Sequence, residues 1–193
     1  MQDYEKILLL CPVSFRGDYP SRPFDPSLPR YVRITDVDEY GNLSEESRSA
    51  ELSNSDVEKY RLREGDVLLA RSGATVGKSY MYRPSDGFCI YAGYMIRFRP
   101  DPKRLLPEVL FRYTHTHAYW RWIESQARAV AQPNINAKMY SELPVPLPDL
   151  ALQQKFVQAV QACLQHREIV ARQLEQLGTL FGSLQHRAFT GQL

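Results

Sequence analysis

The sequence predicts an α+β fold: a mixed α/β domain with a twisted β-sheet over residues 1–148, then a long coiled-coil helix over 149–193. Three observations carry this. Before residue 148 the apolar residues come in short runs rich in β-branched and aromatic side chains, separated by glycine turns. Residues 143–148 read Leu-Pro-Val-Pro-Leu-Pro, and prolines at alternate positions exclude helix and favour a stiff extended connector. Beyond it, apolar residues recur at alternating spacings of four and three, the pattern of a helix–helix seam.

The elements follow in order. Strand-like runs lie at Tyr31–Thr35, Asp66–Arg71, Lys78–Arg83 and Cys89–Arg99, and turns at Tyr40-Gly-Asn42, Glu64-Gly-Asp66, Gly73, Gly77 and Asp86-Gly87. Ser55–Tyr60 suits a short helix. A longer helix starts at Pro107-Glu108, with proline at the first helical position and an acid in the first turn. Leu110, Tyr113, His117 and Trp120 then share one stripe. Asp149 is placed to cap the last helix. Its seam runs through Phe156, Val160, Cys163, Val170, Leu174, Leu177, Phe181, Leu184 and Ala188, with Arg167 in the one polar slot. At about 1.5 Å per residue the seam is roughly 50 Å long and wants a partner helix, in the same chain or another; a long helix packed on its own domain is the other reading. Gly178 and Gly182 each cost about 1 kcal/mol of helix propensity; they permit a close helix approach or mark a bend.

Composition excludes several classes. The 193 residues are 44% apolar and 24% charged, which supports a buried core and argues against disorder. Cys11, Cys89 and Cys163 are too far apart for a disulfide-dense scaffold or a CxxC zinc site. The apolar run Ile7–Cys11 is too short for a signal peptide or a membrane span, so the expected compartment is the cytoplasm. Net charge is only +2, yet residues 34–66 carry four basic and ten acidic groups, and residues 67–140 eleven basic and four acidic. Arginine outnumbers lysine 18 to 6. An arginine-rich basic segment suits phosphates and guanine edges, and it equally suits an ordinary solvated face.

Two clusters could carry chemistry. Gly73-Ala-Thr-Val-Gly77-Lys78-Ser79 resembles a phosphate-cradling P-loop but has three residues between its glycines where that motif has four. It also leads into a strand-like run, whereas a P-loop opens a helix. A tight hairpin is the simpler reading. Flanked by Arg71 and Lys78, with hydroxyls at Ser72 and Thr75, such a hairpin can approach a DNA backbone. The second cluster is Gln132-Pro-Asn-Ile-Asn136, between Arg128 and Lys138. Its side chains suit an adenine edge and are also ordinary turn residues. Tyr113, Tyr119, Trp120 and Trp122 suit core packing better than base stacking. His115, His117, His166 and His186 form no metal-ligand set, and no nucleophile has an evident base.

The order of these motifs resembles a known family. Tyr31-Val-Arg-Ile-Thr-Asp-Val-Asp38 precedes Glu64-Gly-Asp-Val-Leu-Leu-Ala-Arg-Ser-Gly73, Gly77-Lys78, the helix of residues 107–127 and Gln132-Pro-Asn-Ile135. Leu143-Pro-Val-Pro-Leu-Pro148, Gln153-Gln154 and a heptad helix ending Leu184-Gln-His-Arg-Ala-Phe-Thr-Gly191 complete the series. From about residue 28 this resembles one half of a type I restriction-modification specificity subunit: one target recognition domain and one spacer helix. The connector departs from the family pattern, with Asp149 for the second proline and Leu152 for a glutamate. The first 25 residues match poorly.

The resemblance implies a non-enzymatic role with no cofactor of its own. It implies binding of one half of a bipartite duplex DNA target and docking of methyltransferase subunits that use S-adenosylmethionine. It further implies association with an ATP- and magnesium-dependent restriction subunit. The family usually carries two recognition domains and two spacer helices in one chain, so this chain, with one of each, is expected either to form a homodimer through the C-terminal helix or to be a fragment. The DNA-facing residues expected on this reading are Arg71, Ser72, Thr75 and Lys78 in the hairpin, Arg128, Gln132, Asn134 and Asn136 in the second loop, and Arg16, Arg22 and Arg33 near the N-terminus. A coiled-coil scaffold that reads no DNA, and a nucleotide-binding enzyme with a degenerate P-loop, are the competing classes.

Overall fold

The structure, a computed structural model, describes residues 4–6, 13–14, 19–44, 46, 48–127 and 134–192. It divides into two compact units, residues 1–153 and 154–193.

The first unit is built on the strand β6 (Val67–Ala70), whose four residues are all fully buried. Side chains alternate across a strand, so Val67 and Leu69 enter one core and Leu68 and Ala70 another. β6 is central in a four-stranded sheet of order β2-β9-β6-β7, with β2 at Val13–Ser14, β7 at Ser79–Met81 and β9 at Met95–Phe98. All its pairings are antiparallel, and β6 and β7 form a hairpin with Leu69 opposite Ser79.

A second sheet, order β3-β5-β4-β8, comprises β3 (Arg22–Pro23), β4 (Arg30–Val32), β5 (Arg48–Ser49) and β8 (Cys89–Tyr91). β4 and β8 are parallel, which makes the architecture mixed. This sheet packs Tyr31, Val32, Ile90 and Tyr91 with Tyr60 and Leu62 against the Leu68 and Ala70 side of β6. Tyr60 ends the short helix α1 (Asn54–Tyr60), whose N-cap Ser53 accepts the Asp56 N–H.

The opposite side of β6 is covered by α2 (Pro107–Tyr113), α3 (His117–Ala127) and α4 (Ala137–Ser141), through Leu110, Phe111, Tyr119, Ile123 and Tyr140. One helix was expected over residues 107–127; two are found. The break has a local cause. The Thr114 hydroxyl donates to the Phe111 carbonyl at 2.6 Å and the Thr116 hydroxyl to the Tyr113 carbonyl at 2.8 Å, taking acceptors that a continuous helix would use. The expected stripe changes with it. Leu110 is buried, but His117 and Trp120 are exposed, and Tyr119 and Ile123 face the core instead. The strands are also shorter than the runs suggest: Ile34–Asp36 is a 3-10 turn, and Cys89–Arg99 holds two strands and a bend.

The proline-rich connector is extended. It forms β10 (Pro144–Pro146), which pairs antiparallel with β1 (Tyr4–Lys6), Tyr4 standing opposite Pro146. Two prolines are tolerated because the ribbon has only two strands. The helix α5 (Leu150–Phe189) follows, with the Asp149 carboxylate accepting the Leu152 N–H at 2.8 Å. Gln153 is buried in its first turn. Its amide N–H groups donate to the Arg104 and Pro148 carbonyls at 2.8 and 2.7 Å, and its oxygen accepts the Leu106 N–H at 2.9 Å.

In the second unit, residues 154–193, the seam side chains stand open. Phe156, Cys163, Val170, Leu174, Leu177, Phe181 and Leu184 are exposed and Val160 is half-buried.

Gly41 shows how tightly the first unit is filled. It adopts φ +80°, and a Cβ there would collide with the Phe111 ring; Gly73, at φ +77°, has open space. Gly41→Ala is expected to lose about 2–4 kcal/mol, from left-handed strain plus overpacking, and Gly73→Ala only about 1–2 kcal/mol from strain. Urea unfolding of the two variants measures the difference.

Candidate nucleic-acid interface

Parallel and antiparallel pairing bring four segments to one end of the first unit. β6 ends at Ala70 and the hairpin turns through Arg71–Lys78. The Arg71 N–H donates to the Tyr94 carbonyl at 3.0 Å, which joins the bend between β8 and β9. The Ile135 N–H donates to the Arg71 carbonyl at 2.8 Å, and Ser72 and Asn134 form an antiparallel bridge. The Lys78 ammonium donates to the Val37 carbonyl, which holds the turn after β4 against the hairpin.

The hairpin loop itself is shaped by its glycines. Gly73 and Gly77 have φ of +77° and +88°, with Gly73–Thr75 in a 3-10 turn between them. The Gly77 N–H donates to the Ala70 carbonyl at 3.1 Å and the Ala70 N–H to the Lys78 carbonyl at 2.9 Å. Two buried phenols pin the loop from below. The Tyr119 hydroxyl donates to the Gly77 carbonyl and the Tyr140 hydroxyl to the Ala70 carbonyl, each at 2.7 Å. Burial pushes both phenols well above their ordinary range, so they remain donors at any working pH.

The expected DNA-facing residues are placed as follows. Arg71, Ser72, Thr75 and Lys78 share the hairpin, and Asn134 and Asn136 lie beside it through the Ser72–Asn134 bridge. Arg71 is half-buried, and its guanidinium has no partner among the described residues. Asn134 is exposed. Asn136 caps α4, its side-chain oxygen accepting the Met139 N–H at 3.0 Å. Lys78 is half-buried and engaged with Val37.

Arg33 lies at this end too, but Asp36 holds its guanidinium in a bidentate pair at 2.8 and 2.5 Å. That hydrogen-bonded pairing holds the Arg33 guanidinium further into its charged form. Arg22 is on the outer strand β3 of the second sheet, ion-paired with Glu51 at 2.7 Å, whereas the hairpin belongs to the first sheet. Arg16, Arg128 and Gln132 lie outside the described residues.

Sequence reasoning marked the turn at Tyr40-Gly-Asn42 but gave it no role at this end of the unit. Asp38 accepts the Tyr40 and Asn42 N–H groups, both at 2.8 Å, and the Asn42 amide at 2.9 Å. Burial opposes ionisation of this carboxyl, but those hydrogen bonds outweigh it and hold the pKa below the usual carboxylate range. An Asp-x-x-Gly-Asn turn was legible in the sequence; its proximity to the hairpin was not. Between turn and hairpin lies a cleft of about 420 Å3, lined by Glu39, Thr75, Lys78, His115 and Trp120 among others. Among the described residues no group of His, Cys, Asp and Glu is arranged to hold a metal ion. No described helix is long and apolar enough to cross a membrane.

The fold is that of chains from type I restriction-modification systems. The HsdS subunit from Thermoanaerobacter tengcongensis matches it with a TM-score of 0.59 at 19% identity, over 88% of this chain and 44% of that one. A chain from a structure of complex assembly and conformational transition in a type I R-M system matches with a TM-score of 0.62, also at 19% identity and the same coverage. The chain belongs to the family of the type I restriction modification DNA specificity domain, whose model matches residues 28–178. Members of this family are non-catalytic and serve DNA recognition.

The EcoDI specificity subunit of Escherichia coli is 30% identical over 112 residues, and the EcoBI specificity subunit 23% identical over 170. Those alignments cover 56% and 84% of this chain but 24% and 35% of the relatives, so the chain spans well under half the length of either.

The two phenols give a graded prediction. Tyr119→Phe leaves the Gly77 carbonyl without this donor and is expected to lose about 1–3 kcal/mol. Tyr140→Phe is expected to lose less, because the Ala70 carbonyl keeps the Gly77 N–H. Chemical denaturation of the two variants reads the ranking.

Proposed function

We propose that the chain reads one half of a bipartite duplex DNA target through the hairpin end of its first unit. The carrying observation is the union of the Arg71–Lys78 hairpin with Asn134 and Asn136 by the Ser72–Asn134 bridge and the Ile135–Arg71 hydrogen bond. It brings together a cation without a partner among the described residues, half-buried hydroxyls and exposed amides on one loop pair, the mix that positions a protein on a phosphate backbone and reads base edges. Arg71 takes phosphate; Ser72, Thr75 and Asn134 are placed for backbone or base contact. Arg33 and Lys78 serve chiefly to shape this end, through Asp36 and Val37. Arg16, Arg22, Arg128, Gln132 and Asn136 complete the expected set of DNA-facing residues.

The exposed seam of α5 supports the second half of the proposal. Two copies pair through it, as a homodimer, into a rigid spacer between half-sites. A twofold pair predicts a palindromic interrupted target, since target symmetry follows protein symmetry. Methyltransferase subunits carrying S-adenosylmethionine, and an ATP-dependent restriction subunit, dock on this frame in the cytoplasm and supply the chemistry.

Co-expression with the methyltransferase subunit of its own system, in a host without adenine methylation, is the direct test. Modified adenines mapped by long-read sequencing should fall in one interrupted palindrome; no modified motif from a stable complex would overturn the DNA-reading role. Arg71→Ala is expected to weaken binding to all sequences alike and to reduce the slope of log K against log salt by about one. Val170→Asp with Leu177→Asp should give monomers in sedimentation, and a dimer mass after that change would exclude the seam.

A further inference from the structure

We infer that Glu39 is a specificity-determining residue that accepts a hydrogen bond from the exocyclic amino group of a base, and that Lys78 is its positioning residue. The inference rests on the DNA-reading face proposed above and assigns a role there to a turn outside the expected DNA-facing set.

The argument starts from which polar groups in the cleft are already used. Asp38 is filled by Tyr40 and Asn42. Ser79 and Thr114 bond each other at 2.6 Å, Thr114 donates to the Phe111 carbonyl, and His115 Nδ1 sits 2.9 Å from the same carbonyl. Besides the Trp120 indole N–H, two side chains remain without a polar partner among the described residues: the exposed Glu39 carboxylate and the half-buried Thr75 hydroxyl. Both line the cleft, with Trp120, 39% exposed, as an aromatic wall.

Lys78 fixes this arrangement. Its ammonium, carried at the end of the hairpin loop, grips the carbonyl of Val37, two residues before Glu39. Val37 also bridges Leu43 across the turn, and the Asp38 N–H donates to the Asn42 carbonyl at 2.9 Å. The turn that presents Glu39 is therefore closed on itself and tied to the hairpin that presents Arg71 and Thr75.

A carboxylate on a phosphate-facing end weakens binding to every sequence by repulsion. The loss is offset where it accepts from a base amino group, and the major groove offers two: cytosine N4 and adenine N6. Adenine also presents N7 as an acceptor beside N6, which matches the Thr75 hydroxyl or a spare Lys78 N–H; cytosine engages Glu39 alone.

The test uses the full chain in complex with its methyltransferase subunit, bound to a library randomised over the mapped target and to an unrelated duplex. Glu39→Ala is expected to relax one position, with affinity for the target falling roughly tenfold to a hundredfold. Affinity for the unrelated duplex should hold or rise. A folding defect or a lost phosphate contact would lower both. The base relaxed, adenine or cytosine, identifies the edge read. Lys78→Met should relax the same position through the turn.

An unchanged preference at every position, or equal loss on both duplexes, overturns the inference. Weaker assembly with the methyltransferase subunit and an intact DNA profile also overturns it, and assigns the cleft to a cationic side chain of that protein. A wild-type complex without sequence preference would instead refute the DNA-reading proposal itself, and this inference with it.

Discussion

Everything in the first unit depends on one strand buried on both faces. Val67–Ala70 has no solvent side, so it must be covered twice, by the α2–α4 helices on one face and by the second sheet on the other. At about 25 cal/mol per Å2 of apolar surface, such double coverage is the strongest packing available to so short an element. It also sets register: a slip by one residue would exchange the two cores. The hairpin that follows inherits that rigidity. Arg71 leaves the strand at a fixed point, and Tyr119 and Tyr140, from the helical layer, hold the carbonyls at either end of the loop. The hairpin loop is thereby anchored to the core beneath it.

Much of this was legible beforehand, and the reasons differ by element. Glycine spacing revealed the 73–77 turn because only positive φ closes it. The heptad spacing of α5 needs no tertiary information. The connector was legible as extended because proline excludes helix, but its pairing with Tyr4–Lys6 was not, since no local signal names a partner 140 residues away. The single helix over 107–127 failed because Thr114 and Thr116 compete for backbone acceptors, a choice that apolar periodicity does not register. Trp120 looked like core by spacing and is exposed because the break rotates α3, turning Tyr119 and Ile123 inward.

For the candidate site, residue type was informative and residue partnership was not. Arg71 and Arg33 read alike in sequence. In the fold one has no partner among the described residues, and the other is neutralised by Asp36 three residues on. Lys78 read as a phosphate contact next to glycine, yet its reach to Val37 makes it first a tie between two loops. The acidic stretch of residues 34–66 supplies the turn that closes the cleft. Charge counts locate a face; only pairing shows which charges on it are available.

The ribbon of Tyr4–Lys6 with Pro144–Pro146 has a consequence for how the chain is made. The two strands are almost the first and the last parts of the first unit to leave the ribosome. At about 5–20 residues per second, the leading strand waits roughly 7–30 s for its partner. The β6–β7 hairpin and its helical cover can form in that interval without it. Closure of the ribbon therefore comes late in the assembly of the unit, shortly before Gln153 can dock.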